Sequence, residues 1–324
     1  MKIRRRELIV GAGAAVAAPW VGSAFAQAYP ARPVKIVVPW PAGGPADGIL
    51  RPVCEKLGAA TGQPWVLESD PGANGTIGTA RVVKAAPDGY TLLQSHIGPM
   101  AISPALTKVP YDPIKGLAPI TQLTSSPLAM VVRPEMPVRT VAEFMAYARA
   151  QPNPLNMGSV GNGSSTHILA EMLRLATGLK YTHVPYKGSD PVIVDMIGGR
   201  IDFSFLNYAG VQSNVQAGRL RVIAVSSLTR GSALPDIPTI AETIPNVEFA
   251  SWYGMHAPVG TPVAIINRIQ AEIAKAMRLP DVAERLRLGN YEIEATTPDQ
   301  FARRIQSDVT RLAKVVADTG MTVS

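Results

Sequence analysis

Two stretches of this 324-residue chain combine glycines with polar side chains in a pattern suited to holding an anion. The first runs Pro39-Trp40-Pro41-Ala42-Gly43-Gly44-Pro45-Ala46-Asp47. Ala42, Gly43 and Gly44 leave backbone N–H groups uncovered. A helix starting here adds roughly half a unit of positive charge at its N-terminus, which stabilises a carboxylate or phosphate. Asp47 can cap that helix and orient the loop, or accept a bond from a ligand-bridging water. The same composition also describes a plain flexible turn between a strand and a helix. Trp40 stands inside the loop, although tryptophan packs more often than it stacks on a ligand.

The second stretch is Gly158-Ser159-Val160-Gly161-Asn162-Gly163-Ser164-Ser165-Thr166-His167. It repeats the design, with Ser164 and Ser165 hydroxyls beside the amides of Gly161, Asn162 and Gly163. No lysine follows the glycines, so it is not a nucleotide P-loop. Ser164 or Ser165 with His167 would be the nucleophile pair of a periplasmic serine hydrolase. The loop lacks a G-x-S-x-G elbow, however, and no acid is placed to orient the imidazole. A serine that donates to a ligand fits the segment better. His167, one turn into the helix, is either a ligand contact or a packed histidine bonding a neighbouring loop.

The four histidines, His96, His167, His183 and His256, form no H-x-x-H or H-x-x-x-H pair. No metal site and no cofactor is therefore expected. His96 follows a strand at 91–94, and Asn207-Tyr208 follow one at 201–206. Both are placed to form polar side walls of a crevice. Tyr253 reads as a packing residue. The single cysteine, Cys54, falls in an apolar helical pattern and reads as a small core residue.

Strands alternating with helices must position these loops. Val34–Val38 is an apolar, β-branched run that reads as a strand buried on both faces. Helix 48–61, strand 65–68, a turn at Pro71-Gly72-Ala73-Asn74-Gly75, helix 76–86 and strand 90–94 follow it. A proline-punctuated loop at 104–119 leads to strand material at 120–132, interrupted by Ser125-Ser126-Pro127. A second series has helices at 141–150, 165–177 and 190–198 and strands at 155–159, 181–185, 201–206, 220–225 and 249–256. Three helices, 262–278, 280–288 and 298–318, close the chain, each with proline at its opening turn. They have no sheet of their own and are expected to pack back on the first series. The chain would then cross between two lobes near 123–127 and 249–252. This predicts an α/β fold of two lobes around a cleft: residues 27–124 with 253–324, and residues 125–252. In open α/β sheets the ligand crevice lies at the carboxyl ends of the strands, where both glycine loops sit.

Residues 1–26 have the layout of a secretory signal, with a cationic start, an apolar stretch and Ala24-Phe25-Ala26 at the cleavage point. Arg5-Arg6 gives it a twin-arginine character. A periplasmic location follows as an expectation. Part of the +7 formal charge belongs to this leader. The remaining Lys and Arg are scattered, which argues against a nucleic-acid surface.

Ten segments occur in order: PWPAGGPAD, ESDPGANGTIG, KAAPDGYTLL, PYDPIKGLAPI, GSVGNGSSTH, HVPYKGSDP, GGRIDFSF, RLRVIAVSS, LPDIPT and WYGMHAPVGTP. Together they closely resemble the substrate-binding receptors of tripartite tricarboxylate transporters, the Bug or TctC family, over nearly the whole chain after the leader. The resemblance implies a periplasmic-binding-protein type II (Venus flytrap) fold and no catalysis. It also implies a monomeric receptor that takes a small organic carboxylate and passes it to the transporter's membrane subunits. A sensor kinase is the alternative partner. The family's two carboxylate pincers map onto 41–47 and 161–167. Trp40, Ser69 and Asn207 depart from the family pattern at pocket walls, so the substrate's identity does not carry over. The bulky Trp40 is compatible with an aromatic or flat ligand.

Overall fold

A run of β-branched residues is driven to cover both faces of its strand, and in β1 (Val34–Val38) Val34, Ile36, Val37 and Val38 are all fully buried, while Lys35 is exposed and pairs with Glu68. The computed structural model describes residues 29–231 and 234–322. The leader expected at 1–26 lies outside the described residues.

Along the first half run α1 (Pro45–Thr61), β2 (Trp65–Ser69), α2 (Thr76–Val83), β3 (Thr91–His96), a short π-helical turn at Gly98–Ile102, and α3 (Ser103–Leu106). Next comes the long strand β4 (Leu117–Val132). The middle of the chain gives α4 (Val141–Ala150), β5 (Leu155–Ser159), α5 (Ser165–Thr177), β6 (Tyr181–Pro185), α6 (Ser189–Ile197), β7 (Phe203–Asn207), α7 (Tyr208–Gln216) and β8 (Arg221–Val225). The last part holds β9 (Ala250–Pro258), α8 (Val263–Met277), α9 (Pro280–Leu288), β10 (Glu292–Ile293) and α10 (Pro298–Thr319).

One half of the sheet sets β2, β1 and β3 parallel, then β9 antiparallel to β3 and β4 antiparallel to β9. The other half pairs the end of β4 with β7 and β8, and continues in parallel through β5 to β6. Strand β4 therefore belongs to both halves. The interruption expected at Ser125-Ser126-Pro127 does not occur: these residues pair with Trp252, Ser251 and Ala250 of β9. Beyond Pro127 the pairing passes to β7, beginning with Leu128 opposite Asn207. Ser226 pins this crossing. Its hydroxyl accepts from the Leu128 amide at 2.8 Å and donates to the Phe249 carbonyl, and its own amide reaches the Leu128 carbonyl.

The core has three parts. Helices α8 and α9 bury Ile266, Ile269, Ile273, Met277 and Leu286 against Ile49, Leu50, Val53 and Leu57 of α1, as expected for helices returning to the first series. Each such side chain contributes roughly 1.5–3 kcal/mol on burial. Cys54 lies in the same layer, and burial pushes its thiol up to about 12. A smaller cluster around Val192, Met196 and Leu206 underlies α6 and β7. Helix α10 behaves differently from the expectation. It packs on α3 and also on α5, and its Phe301, Ile305, Leu312 and Val315 join one continuous cluster with residues of both halves.

Candidate functional site

The loop after β1 is organised by its own aspartate. Gly43 adopts φ +84°, a conformation that glycine takes without cost. Its amide donates to Asp47 Oδ2 at 2.9 Å, and Arg51 donates to the same oxygen at 2.7 Å. Asp47 is buried, so it serves as the clamp of the loop and the first-turn acid of α1. Burial pushes its carboxyl up, but the Gly43 amide and the Arg51 guanidinium outweigh this and hold it below the usual carboxylate range. Pro41, Ala42 and Gly43 are exposed.

Trp40 turns the other way. Its ring meets His96 edge-on at 5.5 Å and lies against Gly75, while its indole Nε1 is buried without a hydrogen-bond partner. Ser69 fixes the backbone here by donating to the Trp40 carbonyl at 2.5 Å. His96 Nδ1 accepts from the Gly98 amide at 3.1 Å, and its Nε2 lies 2.8 Å from Ser251 Oγ. A neutral ring whose Nδ1 accepts carries its proton on Nε2, so His96 donates to Ser251 and cannot act as its base. Burial pushes its pKa down to about 4, which keeps it neutral. Tyr253 packs against its ring at a 50° tilt, with centroids 4.8 Å apart.

The loop after β5 is more tightly knit. Gly161 has φ +135° and Gly163 φ +66°, so the loop depends on glycine at both. The Val160 amide reaches Thr166 Oγ1 at 3.0 Å, and the Gly161 amide reaches Ser159 Oγ at 3.2 Å. Ser164 caps α5, accepting from the His167 amide at 3.3 Å and donating to the Gly161 carbonyl at 2.7 Å. The Gly163 amide donates to His167 Nδ1 at 3.2 Å. His167 is thus a packed helix histidine that bonds the neighbouring loop, one of its two expected roles. Its ring is engaged by Gly163 and not by Ser164, whose hydroxyl is spent on Gly161 and Thr166. Ser165, the first residue of α5, is half-buried.

A cavity of about 490 Å³ brings residues 160–164, including Gly161, Asn162, Gly163 and Ser164, opposite two segments of the first sheet half. These are Ala73 and Asn74 of the β2–α2 turn with Thr76 at the start of α2, and Ser103 with residues 106–110 after β3. Lys108 is the one charged side chain in that lining, and it forms no ion pair among the described residues. Asn74 Nδ2 donates to Ser103 Oγ at 3.2 Å. The Trp40–His96 pair adjoins this wall, because Trp40 touches Gly75 next to Asn74. Pro41, Ala42, Gly43, Gly44, Asp47, Asn207 and Tyr208 do not line the cavity. Asn207 is exposed at the end of β7 and Tyr208 opens α7.

The wall formed by Asn74, Ser103 and Lys108 was not singled out from the sequence. Its signal was present in Pro71-Gly72-Ala73-Asn74-Gly75, where four successive residues from Gly72 have positive φ, including Ala73 at +44° and Asn74 at +53°. Non-glycine residues held there are strained, and such strain concentrates at binding sites. Among the described residues no group of three or more His, Cys, Asp or Glu side chains is placed to hold a metal, and no helix is long and apolar enough to cross a membrane.

Residues 49–321 match the family model described as "Tripartite tricarboxylate transporter family receptor". The chain is 33% identical to the protein BugT of Bordetella pertussis over 326 residues, covering 99% of each. Among solved structures it resembles R. palustris Rpa4515 with adipate (31% identity, TM-score 0.76, covering 91% of this chain and all of that one). It also resembles MatC (Rpa3494) from Rhodopseudomonas palustris with bound malate (30% identity, TM-score 0.72, covering 89% and 100%). The mixed α/β architecture is that of a type II periplasmic-binding protein.

Proposed function

Because this chain belongs to the tripartite tricarboxylate transporter receptor family and is a periplasmic solute-binding protein, we propose that it captures a small mono- or dicarboxylate in the 490 Å³ cavity and delivers it to the membrane subunits of such a transporter. The observation that carries this reading is the composition of the cavity wall. One side is a glycine-rich loop at the N-terminus of the 13-residue helix α5, and the only charged lining side chain is the cation Lys108. A helix N-terminus and an ammonium both favour a carboxylate, and the volume falls within the range of small-molecule sites. The similarity to structures holding adipate and malate supports the same class. The Trp40–His96 wall and the loop at Pro41–Gly44 would join the site as residues 27–124 with 253–324 close on residues 125–252. Closure follows from tighter binding to the closed form. The protein acts as a monomer and without catalysis in this reading.

The test is a thermal-shift screen of the leader-free protein. A binding carboxylate stabilises by about 2.7 kcal/mol at a hundredfold excess over its Kd, which raises the melting temperature by several degrees. A carboxylate panel without effect, beside an amino-acid or sugar panel that shifts the protein, would replace the ligand class.

A further inference from the structure

Two imidazoles lie beneath the 160–164 loop and hold it at separate points. His167 of α5 stacks on His183 of β6, with ring centroids 3.7 Å apart and planes 20° from parallel. His167 Nδ1 accepts from the Gly163 amide at 3.2 Å. His183 Nε2 lies 2.6 Å from Ser159 Oγ, and that hydroxyl is bonded to both the amide and the carbonyl of Gly161, at 3.2 and 3.1 Å. The glycines on either side of Asn162 are thus each tied to one ring of the pair.

The protonation chemistry is fixed by these bonds. Gly163 donates to Nδ1, so the neutral His167 ring carries its proton on Nε2, which faces Glu171 Oε1 at 3.9 Å. A second proton can go only to Nδ1, the atom that holds Gly163. Once Nδ1 is a donor, the Gly163 amide has lost its acceptor.

We propose that His167, backed by His183, is the positioning residue of the ligand loop: the neutral pair holds residues 161–163 in the carboxylate-binding shape, and acid loosens that shape. This rests on the assignment of the loop to the carboxylate site. The charged and titratable groups facing the pair are Glu171 and Arg174 from α5 and Tyr181 from β6. The end of α10 contributes Thr319, followed by Met321 and Thr322, none of which titrates. Glu171 is already shared between Arg174, at 2.6 and 2.8 Å, and the Tyr181 hydroxyl, so its charge is only partly available to an imidazolium. Burial, then the neighbouring His167, push His183 down to about 4. Burial likewise lowers His167, against the opposing pull of Glu171.

The experiment measures malate affinity by calorimetry from pH 7 to pH 4.5 for the wild type, His167→Asn and His167→Phe. Asparagine places Oδ1 where Nδ1 stands, so it accepts from Gly163 and does not titrate. Phenylalanine keeps a stacking ring but accepts nothing. The ligand's own protonation is common to all three and cancels in ratios. The expected result is that the wild type loses at least threefold more affinity than His167→Asn on acidification, and that His167→Phe binds weakly at every pH. Parallel wild-type and His167→Asn profiles overturn the inference. Should malate bind none of them, the carboxylate assignment is what fails for this probe. The Gly163 amide resonance of the ligand-free protein then decides the positioning role: it follows an imidazole titration in the wild type and not in His167→Asn, and a Gly163 signal static over that range overturns the inference.

Discussion

Gly43 and Asp47, four residues apart, are joined by a 2.9 Å bond from the glycine amide to Oδ2, and this bond sets the turn before α1 begins. The helix has no side-chain N-cap of its own, since Gly44 occupies that position. Asp47 takes over the task from inside the first turn, and Arg51 one turn later neutralises it. The glycine loop before α1 is thereby tied to the helix it precedes.

Replacement of Asp47 by alanine removes the acceptor for Gly43 and is expected to cost about 1.5–3 kcal/mol, the usual range for a hydrogen bond to a charged group. The effect depends on pH with a definite sign. The folded carboxyl titrates below its unfolded value, so its contribution is complete above the ordinary aspartate range and is lost as pH falls through the lowered folded value. Urea midpoints of wild type and variant should therefore differ widely at pH 7, and the gap should narrow as pH is taken below the ordinary aspartate range. A gap that widens on acidification would mean that Asp47 is not held as a carboxylate.

Asn74 lines the cavity with φ +53° and donates to Ser103. Asn74→Gly removes the amide while suiting the backbone, whereas alanine would add about 1–2 kcal/mol of left-handed strain. The glycine variant should keep its stability within about 0.5 kcal/mol and bind malate roughly three- to tenfold more weakly, the value of one net hydrogen bond. Unchanged affinity would remove this wall from the ligand site.

Much of this arrangement was legible from local pattern. β1 reads as buried because it has a run of β-branched residues, and the two loops read as strand-to-helix turns because of their glycines. Elements without a period were not legible. α7 buries only Val211, α3 is one turn, and β10 has two residues. Ser125-Ser126-Pro127 suggested a break because proline lacks an N–H and serine is polar. The strand persists there because its partners are tertiary: β9 pairs with all three, and Glu294 accepts from the Ser125 hydroxyl at 2.6 Å. In the site, the sequence places the glycine amides but not their partners. That Asp47 takes Gly43, and that His167 rather than a ligand takes Gly163, depends on rotamers and on the packing of β6 against α5. Lys108 reaches the cavity from a proline-punctuated stretch with no periodic signal.

The return crossing between the halves of the sheet is pinned by Asp308 of α10. Its carboxylate is 1% exposed and accepts from Trp252 Nε1 at 2.8 Å, Arg304 Nε at 2.6 Å and Arg311 Nη2 at 2.9 Å. The two arginines then reach the carbonyls of Ala250, at 3.2 Å, and Glu248, at 2.8 Å, so residues 248–252 are stitched to the helix through a single acid. Its removal leaves a buried indole N–H unpaired and Arg304 without its counter-charge, and it leaves Arg311 only the more distant Glu248 carboxylate at 3.7 Å. Loss of one partner of a buried ionic cluster costs about 3–5 kcal/mol. Asp308→Ala should lose that much in denaturant unfolding at pH 7, and Asp308→Asn somewhat less, because the amide oxygen still accepts from Trp252. Gln306→Ala, at an exposed position on the same helix, should stay within about 0.5 kcal/mol. A loss below about 1 kcal/mol for Asp308→Ala would show that the crossing is held by the apolar packing of Phe301 against Trp252 instead.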